Sequence, residues 1–269
     1  MTVKRAGRVA YEYFWHYFGL LYFGTVGTLY GVLAGLLHLV LPARLRAPRG
    51  RRLIGFQVRG FLATMRVSGV MKLDLSALDA LRGEPGLVIA PNHPCLLDAV
   101  FVIAHVPEVS CIMKAQIWDN MVLGGGARLA GYIRNDSVNS MVRSSALELR
   151  EGWPLLVFPE GTRTRRRPVN DFKGGFALIA KMARAPIQTV FIETDNPFLS
   201  KGWPLLKKPR FPLVYRARLG RRFTVEGDLK AFMRELEAYY REELADRPVD
   251  ELPSVVLHST GAPRPGKAA

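Results

Sequence analysis

The sequence predicts an α/β fold: a mostly parallel central sheet flanked by helices, preceded by an N-terminal membrane-associated helical segment. Short apolar runs alternate with segments of helical periodicity after residue 70. The runs are largely apolar and do not alternate strictly with polar residues, which is typical of parallel strands covered on both faces. Before them, residues 14–42 contain no Asp, Glu, Lys or Arg. That stretch is long enough for one membrane-spanning helix of about 20 residues but too short for two.

The charge of the chain indicates an anionic partner. The 269 residues carry a formal net charge of +15, and 49% are hydrophobic, so a large core can form. Eleven Lys or Arg and one acid fall in residues 1–73, where they bracket the apolar stretch. Residues 201–222 add eight Lys or Arg and no acid, a stretch suited to anionic headgroups or an acidic carrier protein. This pattern favours a membrane lipid bilayer as partner over nucleic acid, for which no binding signature is visible.

Residues 1–52 are predicted to form a basic and hydrophobic membrane-anchoring segment. Trp15, Tyr17 and Tyr22 are interfacial aromatics, and glycines four residues apart in 27–35 give a face on which another helix can pack closely. Two alternatives to a span are a kinked helical hairpin in one leaflet and a buried core helix. Because the C-terminal flank is richer in Arg, the catalytic domain is expected on the cytoplasmic face of an inner or plasma membrane.

Residues 53–250 are predicted to form the α/β domain and 251–269 a disordered tail. A basic linker over 44–52 leads to a helix over 53–70. Strands are predicted at 87–91, 109–114, 155–158, 187–193 and 213–219. Helices are predicted at 96–105, 117–129, 138–150, 172–183 and 229–245, with Ser137 capping the third. The two cysteines are too few for a disulfide framework and have no metal-ligand partner at recognisable spacing, so no metal site is expected.

The first polar motif follows the strand at 87–91. It places His93 in the turn and Asp98 in the first turn of the next helix. A carboxylate in that position can bond one imidazole nitrogen and leave the other free as a base. An ordinary helix-capping turn is the structural alternative. Cys95, two residues from His93, offers a further alternative as a nucleophile that forms an acyl-cysteine.

The second motif, Phe-Pro-Glu-Gly-Thr-Arg at 158–163, follows the strand at 155–158. Its glycine permits a tight turn, its amides can face an anion, and Arg163 can bind a phosphate with two nitrogens. Ligands of open parallel sheets lie beyond the carboxyl ends of the strands, so both motifs are expected at one site.

Together the motifs resemble those of the glycerolipid acyltransferase family, which includes 1-acylglycerol-3-phosphate acyltransferases. The H-x4-D motif of the family matches His93 and Asp98, and its F-P-E-G-T-R motif matches residues 158–163. Lys114, before Ala115, resembles a family lysine, and residues 185–187 resemble a later apolar block. The family block that binds the acceptor's phosphate is imperfect, because Arg134 stands one place early. The resemblance covers roughly residues 70–220.

The resemblance implies the glycerolipid acyltransferase fold and a membrane-bound O-acyltransferase of phospholipid biosynthesis. His93 would be the general base and Asp98 would orient it. The implied substrate-binding residues are Glu160, Gly161, Thr162, Arg163, Arg134 and Lys114. The co-substrate would be acyl-CoA or acyl carrier protein, the acceptor a lyso-lipid, and no cofactor would be needed. Alternatives are an acceptor without glycerol phosphate (an ornithine lipid, glycolipid or polyene lipid) and a non-catalytic basic membrane-binding module.

Overall fold

A seven-stranded sheet forms the centre of the computed structural model, which describes residues 3–120 and 124–245. Its order is β1-β7-β6-β2-β5-β3-β4, and every neighbouring pair is parallel except β6 with β7. The strands are β1 (Met71–Asp74), β2 (Val88–Pro91), β3 (Ser110–Lys114), β4 (Ile133–Asn135), β5 (Leu155–Leu156), β6 (Ile187–Glu193) and β7 (Leu213–Phe223). The predicted mostly parallel α/β class is confirmed.

Helices cover both faces of the sheet. They are α1 (Val3–Val40), α2 (Ala43–Val67), α3 (Asp98–His105), α4 (Ala115–Trp118), α5 (Gly124–Leu129), α6 (Val138–Arg150), α7 (Gly175–Ala183) and α8 (Leu229–Leu244). A 3₁₀ helix, Ser76–Leu81, links β1 to β2. One apolar cluster packs α2 and α3 on one face of the sheet, and a second packs α7 and α8 on the other.

Several predicted elements differ from the observed ones. The continuous helix over 117–129 is wrong, because α4 ends at Trp118 and α5 begins at Gly124. The prediction of a basic linker over 44–52 is also wrong, because those residues lie in α2. This helix continues through the predicted domain boundary at residue 52. By contrast, α6 has the predicted bounds and Ser137 caps it, accepting a hydrogen bond from the amide of Ser140 at 3.2 Å. The predicted tail at 251–269 lies outside the described residues.

The first two helices form an antiparallel pair. Tyr11 donates a hydrogen bond to the carbonyl of Ser68 beyond the end of α2, and Tyr30 bonds the carbonyl of Gly50 near its start. The apolar stretch 14–42 is therefore not itself a hairpin, because α1 is continuous to Val40 and the hairpin forms between α1 and α2.

The backbone of α1 at Gly31 packs closely on the glycines of α5, whereas Gly27 and Gly35 of the predicted face have space around them. A Cβ added at Gly125 would collide with the carbonyl oxygen of Gly31. A Cβ added at Gly126 would lie 2.5 Å from the ring of Tyr30. This contact holds the middle of the apolar helix against the α/β domain.

Candidate active site

Both polar motifs emerge side by side at the carboxyl edge of the sheet. Strands β2 and β5 are parallel neighbours, so the loops that follow Pro91 and Leu156 leave the sheet together. The two loops are joined by a backbone hydrogen bond of 2.7 Å from the amide of Thr164 to the carbonyl of His93. The loop after β6, on the other side of β2, completes the site.

His93 and Asp98 form a hydrogen-bonded pair. The Nδ1 of His93 lies 2.8 Å from Oδ2 of Asp98, whose side chain is completely buried. The imidazole stacks on the ring of Phe158, with 3.8 Å between ring centroids, and 14% of its side chain is exposed. With Nδ1 committed to the carboxylate, Nε2 is the nitrogen available to a substrate.

Cys95 supports Asp98 instead of facing the site. Its amide donates to Oδ2 of Asp98 at 2.8 Å, and its thiol donates to Oδ1 at 3.0 Å. Burial raises the pKa of the Cys95 thiol well above its usual value, and the adjacent carboxylate raises it further. The reactive form of cysteine is the thiolate. The geometry therefore disfavours the acyl-cysteine alternative.

The carboxylate of Glu160 links the two motifs. Its Oε1 accepts hydrogen bonds from the amide of His93 at 2.9 Å and the hydroxyl of Thr164 at 2.7 Å, and Oε2 accepts one from the amide of Asn170 at 2.8 Å. Glu160 is 1% exposed. The predicted role of Glu160 as a direct ligand of the acceptor is therefore not supported. Protein groups already bond both of its carboxylate oxygens, and its side chain is buried away from any bound substrate.

The remaining residues of the second motif shape a cationic surface. Gly161 has φ +65°, a left-handed conformation that favours glycine at the tight turn after Phe158. Arg163 donates from one terminal nitrogen to the carbonyls of Leu199 and Ser200, at 2.8 and 3.0 Å, which ties the motif to the loop after β6. The hydroxyl of Thr162 accepts a 2.6 Å bond from Lys201.

Four cations lie close together at this edge of the sheet. Desolvation lowers the pKa of Lys201, and the neighbouring charges of Arg165, Lys114 and Arg163 lower it further. Lys114 stands exposed at the end of β3, without a hydrogen-bonding partner in the described part of the chain. Like charges gathered without a matching acid favour an anionic ligand.

Arg134 lies near this region on β4 but is engaged elsewhere. Its guanidinium pairs with Asp136 at 2.6 Å and with Asp119 at 2.7 Å. The predicted role of Arg134 as an acceptor ligand is therefore not supported by this arrangement, because two carboxylates already balance its charge.

Sequence reasoning missed several residues that build the site. The side chain of Asn92 bonds both the amide and the carbonyl of Ile192, at 2.7 and 3.0 Å, which extends the pairing of β2 with β6 up to His93. The side-chain oxygen of Asn170 accepts hydrogen bonds from the amides of Arg165 and Arg166. These bonds fold the arginine run into a loop. Only the position of Asn92 directly after a strand signalled such a role.

Comparison with known proteins agrees with this geometry. Residues 72–193 match the family model described as acyltransferase. The 1-acyl-sn-glycerol-3-phosphate acyltransferase of Limnanthes douglasii is 34% identical over 119 residues, covering 41% of this chain and 42% of the relative. The lyso-ornithine lipid O-acyltransferase of Rhodobacter capsulatus is 34% identical over 102 residues, covering 35% of this chain and 36% of the relative.

A solved structure matches nearly the whole chain. The 1-acyl-sn-glycerophosphate acyltransferase of Thermotoga maritima superposes with a TM-score of 0.64 at 19% identity, covering 91% of this chain and 99% of that one. The sequence matches to the curated relatives, by contrast, span about two fifths of their length. Residues 72–193 are thus similar to acyltransferases in sequence, and the chain shares the fold of a solved acyltransferase.

Proposed function

We propose that the chain is a membrane-bound O-acyltransferase that moves a fatty acyl group from a thioester to the hydroxyl of a lysophospholipid in phospholipid biosynthesis. The observation that carries the proposal is the hydrogen-bonded His93–Asp98 pair at the carboxyl edge of the sheet, where Lys114, Arg163 and Lys201 also lie. The family's sequence relatives, all named acyltransferases of lyso-lipids or acylglycerol phosphates, support the same reaction class.

The reaction needs a base and a positioned hydroxyl. Nε2 of His93 removes the hydroxyl proton as the oxygen attacks the thioester carbonyl. The tetrahedral intermediate collapses with cleavage of the carbon–sulfur bond, and the imidazolium returns its proton to the leaving thiolate. Asp98 holds the imidazole in the required tautomer and stabilises its charged form. The step forms one ester and one thiol, and requires no redox partner.

The acceptor's phosphate is assigned to the cation cluster of Lys114, Arg163 and Lys201. Arg163 uses one nitrogen on main-chain carbonyls and keeps the rest of its guanidinium for a phosphate. Thr162 orients Lys201 toward the same region. Glu160 contributes indirectly, because it fixes the loop that carries these side chains.

A second acceptor class is favoured by one observation. Arg134, which the family resemblance assigns to the phosphate, is neutralised by Asp119 and Asp136. An acceptor without glycerol phosphate would not need that cation. The relative named lyso-ornithine lipid O-acyltransferase is an example of such chemistry in the family.

Transfer assays with purified enzyme distinguish these acceptors. Acyl-CoA and acyl carrier protein are supplied as donors to lysophosphatidate, lysophosphatidylcholine and lyso-ornithine lipid, and the products are separated by mass. We expect transfer to lysophosphatidate. Transfer confined to lyso-ornithine lipid would replace the leading proposal with the second, and absence of transfer to every lyso-lipid would overturn both.

The membrane association is proposed to be in-plane. The segment Lys4–Val40 is long and apolar enough to cross a bilayer, but one such helix is weak evidence of a span. Other elements of the protein contact α1 from Tyr11, which bonds Ser68 after α2, to Gly31, which touches α5. This length of helix is about 30 Å at 1.5 Å per residue. A helix held beside the domain over that length cannot enter the hydrocarbon core alone. Its outer face, with Leu21, Leu29 and Leu36 more than half exposed, suits one leaflet.

Accessibility of the two ends of the apolar stretch tests this placement. Arg5→Cys and Arg44→Cys, one near each end, are expected to react with a membrane-impermeant maleimide from the same side of sealed vesicles. The native Cys95 and Cys111 are buried and provide the background control. Labelling of the two positions from opposite sides would instead establish a span.

A further inference from the structure

A large cleft opens beside the His93 loop, at the end of β6. It has a volume of about 1450 Å³ and begins at Asn92, Pro94 and Thr164, the residues that flank and hold the His93 loop. From there it extends past the end of β6 to β7 and the end of α8. We call it the basic cleft, because six cations line it: Arg165, Arg167, Lys201, Arg216, Arg218 and Arg241.

The charge of the basic cleft is only partly balanced. Two acids line it, Glu193 and Glu243, and both pair with Arg218, at 2.8 and 2.6 Å. Arg241 pairs with acids outside the cleft lining, Glu237 at 2.7 Å and Asp171 at 3.2 Å.

Three cleft cations remain without a close acid. Among the described residues Arg165 and Arg167 have no side-chain partner, and Arg216 reaches Asp74 only at 3.7 Å. Side chains with several unused donors are suited to phosphate oxygens. The free cations therefore make the cleft a polyanion site.

The sheet order sets the far end of the cleft apart from Lys114, and Lys201 lies where the cleft meets the acceptor's cation cluster. Strand β2, which carries His93, lies between β6 and β7 on one side and β5 and β3 on the other. Lys114 ends β3, whereas Arg216 lies on β7, two strands from β2 and therefore about 10 Å across the sheet. A thioester carbonyl at His93 can thus be reached from the Arg216 end of the cleft, while the lyso-lipid approaches from the Lys114 side.

We propose that the basic cleft binds the phosphate-bearing end of the acyl donor, a phosphopantetheine thioester. This inference rests on the proposed acyl transfer. The uncharged pantetheine arm would pass Pro94 and Thr164 to bring the thioester to His93. The phosphates would lie on Arg165, Arg167 and Arg216. The same phosphopantetheine chemistry occurs in acyl-CoA and in acyl carrier protein, and the experiment separates the two.

The test compares donors with and without phosphate. The variant Arg167→Ala/Arg216→Ala is assayed with acyl-CoA, acyl carrier protein and acyl-N-acetylcysteamine, a thioester that lacks phosphate. We expect the KM for phosphate-bearing donors to rise about tenfold or more, since charge-assisted contacts are the strong ones. The kcat/KM for acyl-N-acetylcysteamine and the KM for the lyso-lipid should stay unchanged. Arg143→Ala, an exposed arginine of α6, is the matched control for lost charge.

The outcomes separate the sources of the phosphate. A KM increase for acyl-CoA alone assigns the nucleotide phosphates to the cleft, and an increase for both donors assigns the phosphate they share. Unchanged KM values for both, or equal increases for the phosphate-free thioester, would overturn the proposal. Calorimetric binding of CoA to the wild type and the double variant does not require turnover. If no thioester supports transfer but the double variant loses CoA affinity, the proposed function fails and the cleft assignment stands.

Discussion

Replacement of His93 by alanine is expected to lower the rate of acyl transfer by about 10²–10⁴-fold, the contribution of a well-placed general base. No other histidine in the described residues has a buried carboxylate partner, since the remaining His–Asp pair, His105 with Asp79, is exposed. Affinity for the lyso-lipid should change little, because the cation cluster proposed to receive its phosphate is intact. The measurement is single-turnover transfer to lysophosphatidate, with equilibrium binding of the acceptor measured separately.

Two neighbouring variants make this result specific. His93→Gln retains a donor for Asp98 but no base, so it should be as inactive as the alanine variant while remaining fully folded. In Cys95→Ser, the serine hydroxyl can donate to Asp98 in place of the thiol, whose bond is 3.0 Å long. This variant should preserve turnover. Equal rates for wild type and both His93 variants would remove His93 from catalysis. An acyl group trapped on Cys95 in wild type would restore the covalent alternative.

The parts of the fold that the sequence predicts well are those with long, uniform patterns. Strand β6 is a seven-residue run rich in β-branched residues, and α6 has both a serine cap and a terminating glycine, so their bounds were predictable. Strands β1 and β4 have four and three residues and were missed, because so few residues do not establish a period. Strand β7 continues to Phe223 because its last residues pair with the start of β6, which its own residues do not reveal.

The candidate site, too, was predictable from the sequence only in part. Adjacent parallel strands bring His93 and the second motif together, and that adjacency follows from the rule about strand ends. The contacts of Glu160 and Lys201 do not follow from it, because their partners come from loops after β5 and β6 whose paths depend on tertiary packing. The ion pairs of Arg134 with Asp119 and Asp136 were not predictable either, because the two acids lie at separate positions along the chain.

Replacement of Arg51 by alanine is expected to lower the free energy of unfolding by about 3 kcal/mol, the lower end for a broken buried ion pair. Arg51 is completely buried in α2 and pairs with Glu148 of α6 at 2.6 Å. It also donates to the carbonyl of Ala130 at 2.9 Å and lies over the ring of Trp153. Because Glu148 is 22% exposed, water can partly solvate its carboxylate, which argues against a larger loss.

Arg52 provides the control one residue away. Its side chain is 67% exposed and pairs with Glu108 at the surface, so Arg52→Ala should cost less than about 1 kcal/mol. The comparison is made from urea unfolding midpoints in the same detergent, with Glu148→Gln as a third variant that removes the charge from the partner. Equal losses for Arg51→Ala and Arg52→Ala would show that the buried pair is not what holds α2. A selective loss at Arg51 would instead make α2 an integral part of the catalytic fold. The basic residues around 44–52 would then serve two purposes: the exposed ones can face lipid, while Arg51 fixes the membrane-facing hairpin to the domain that carries His93.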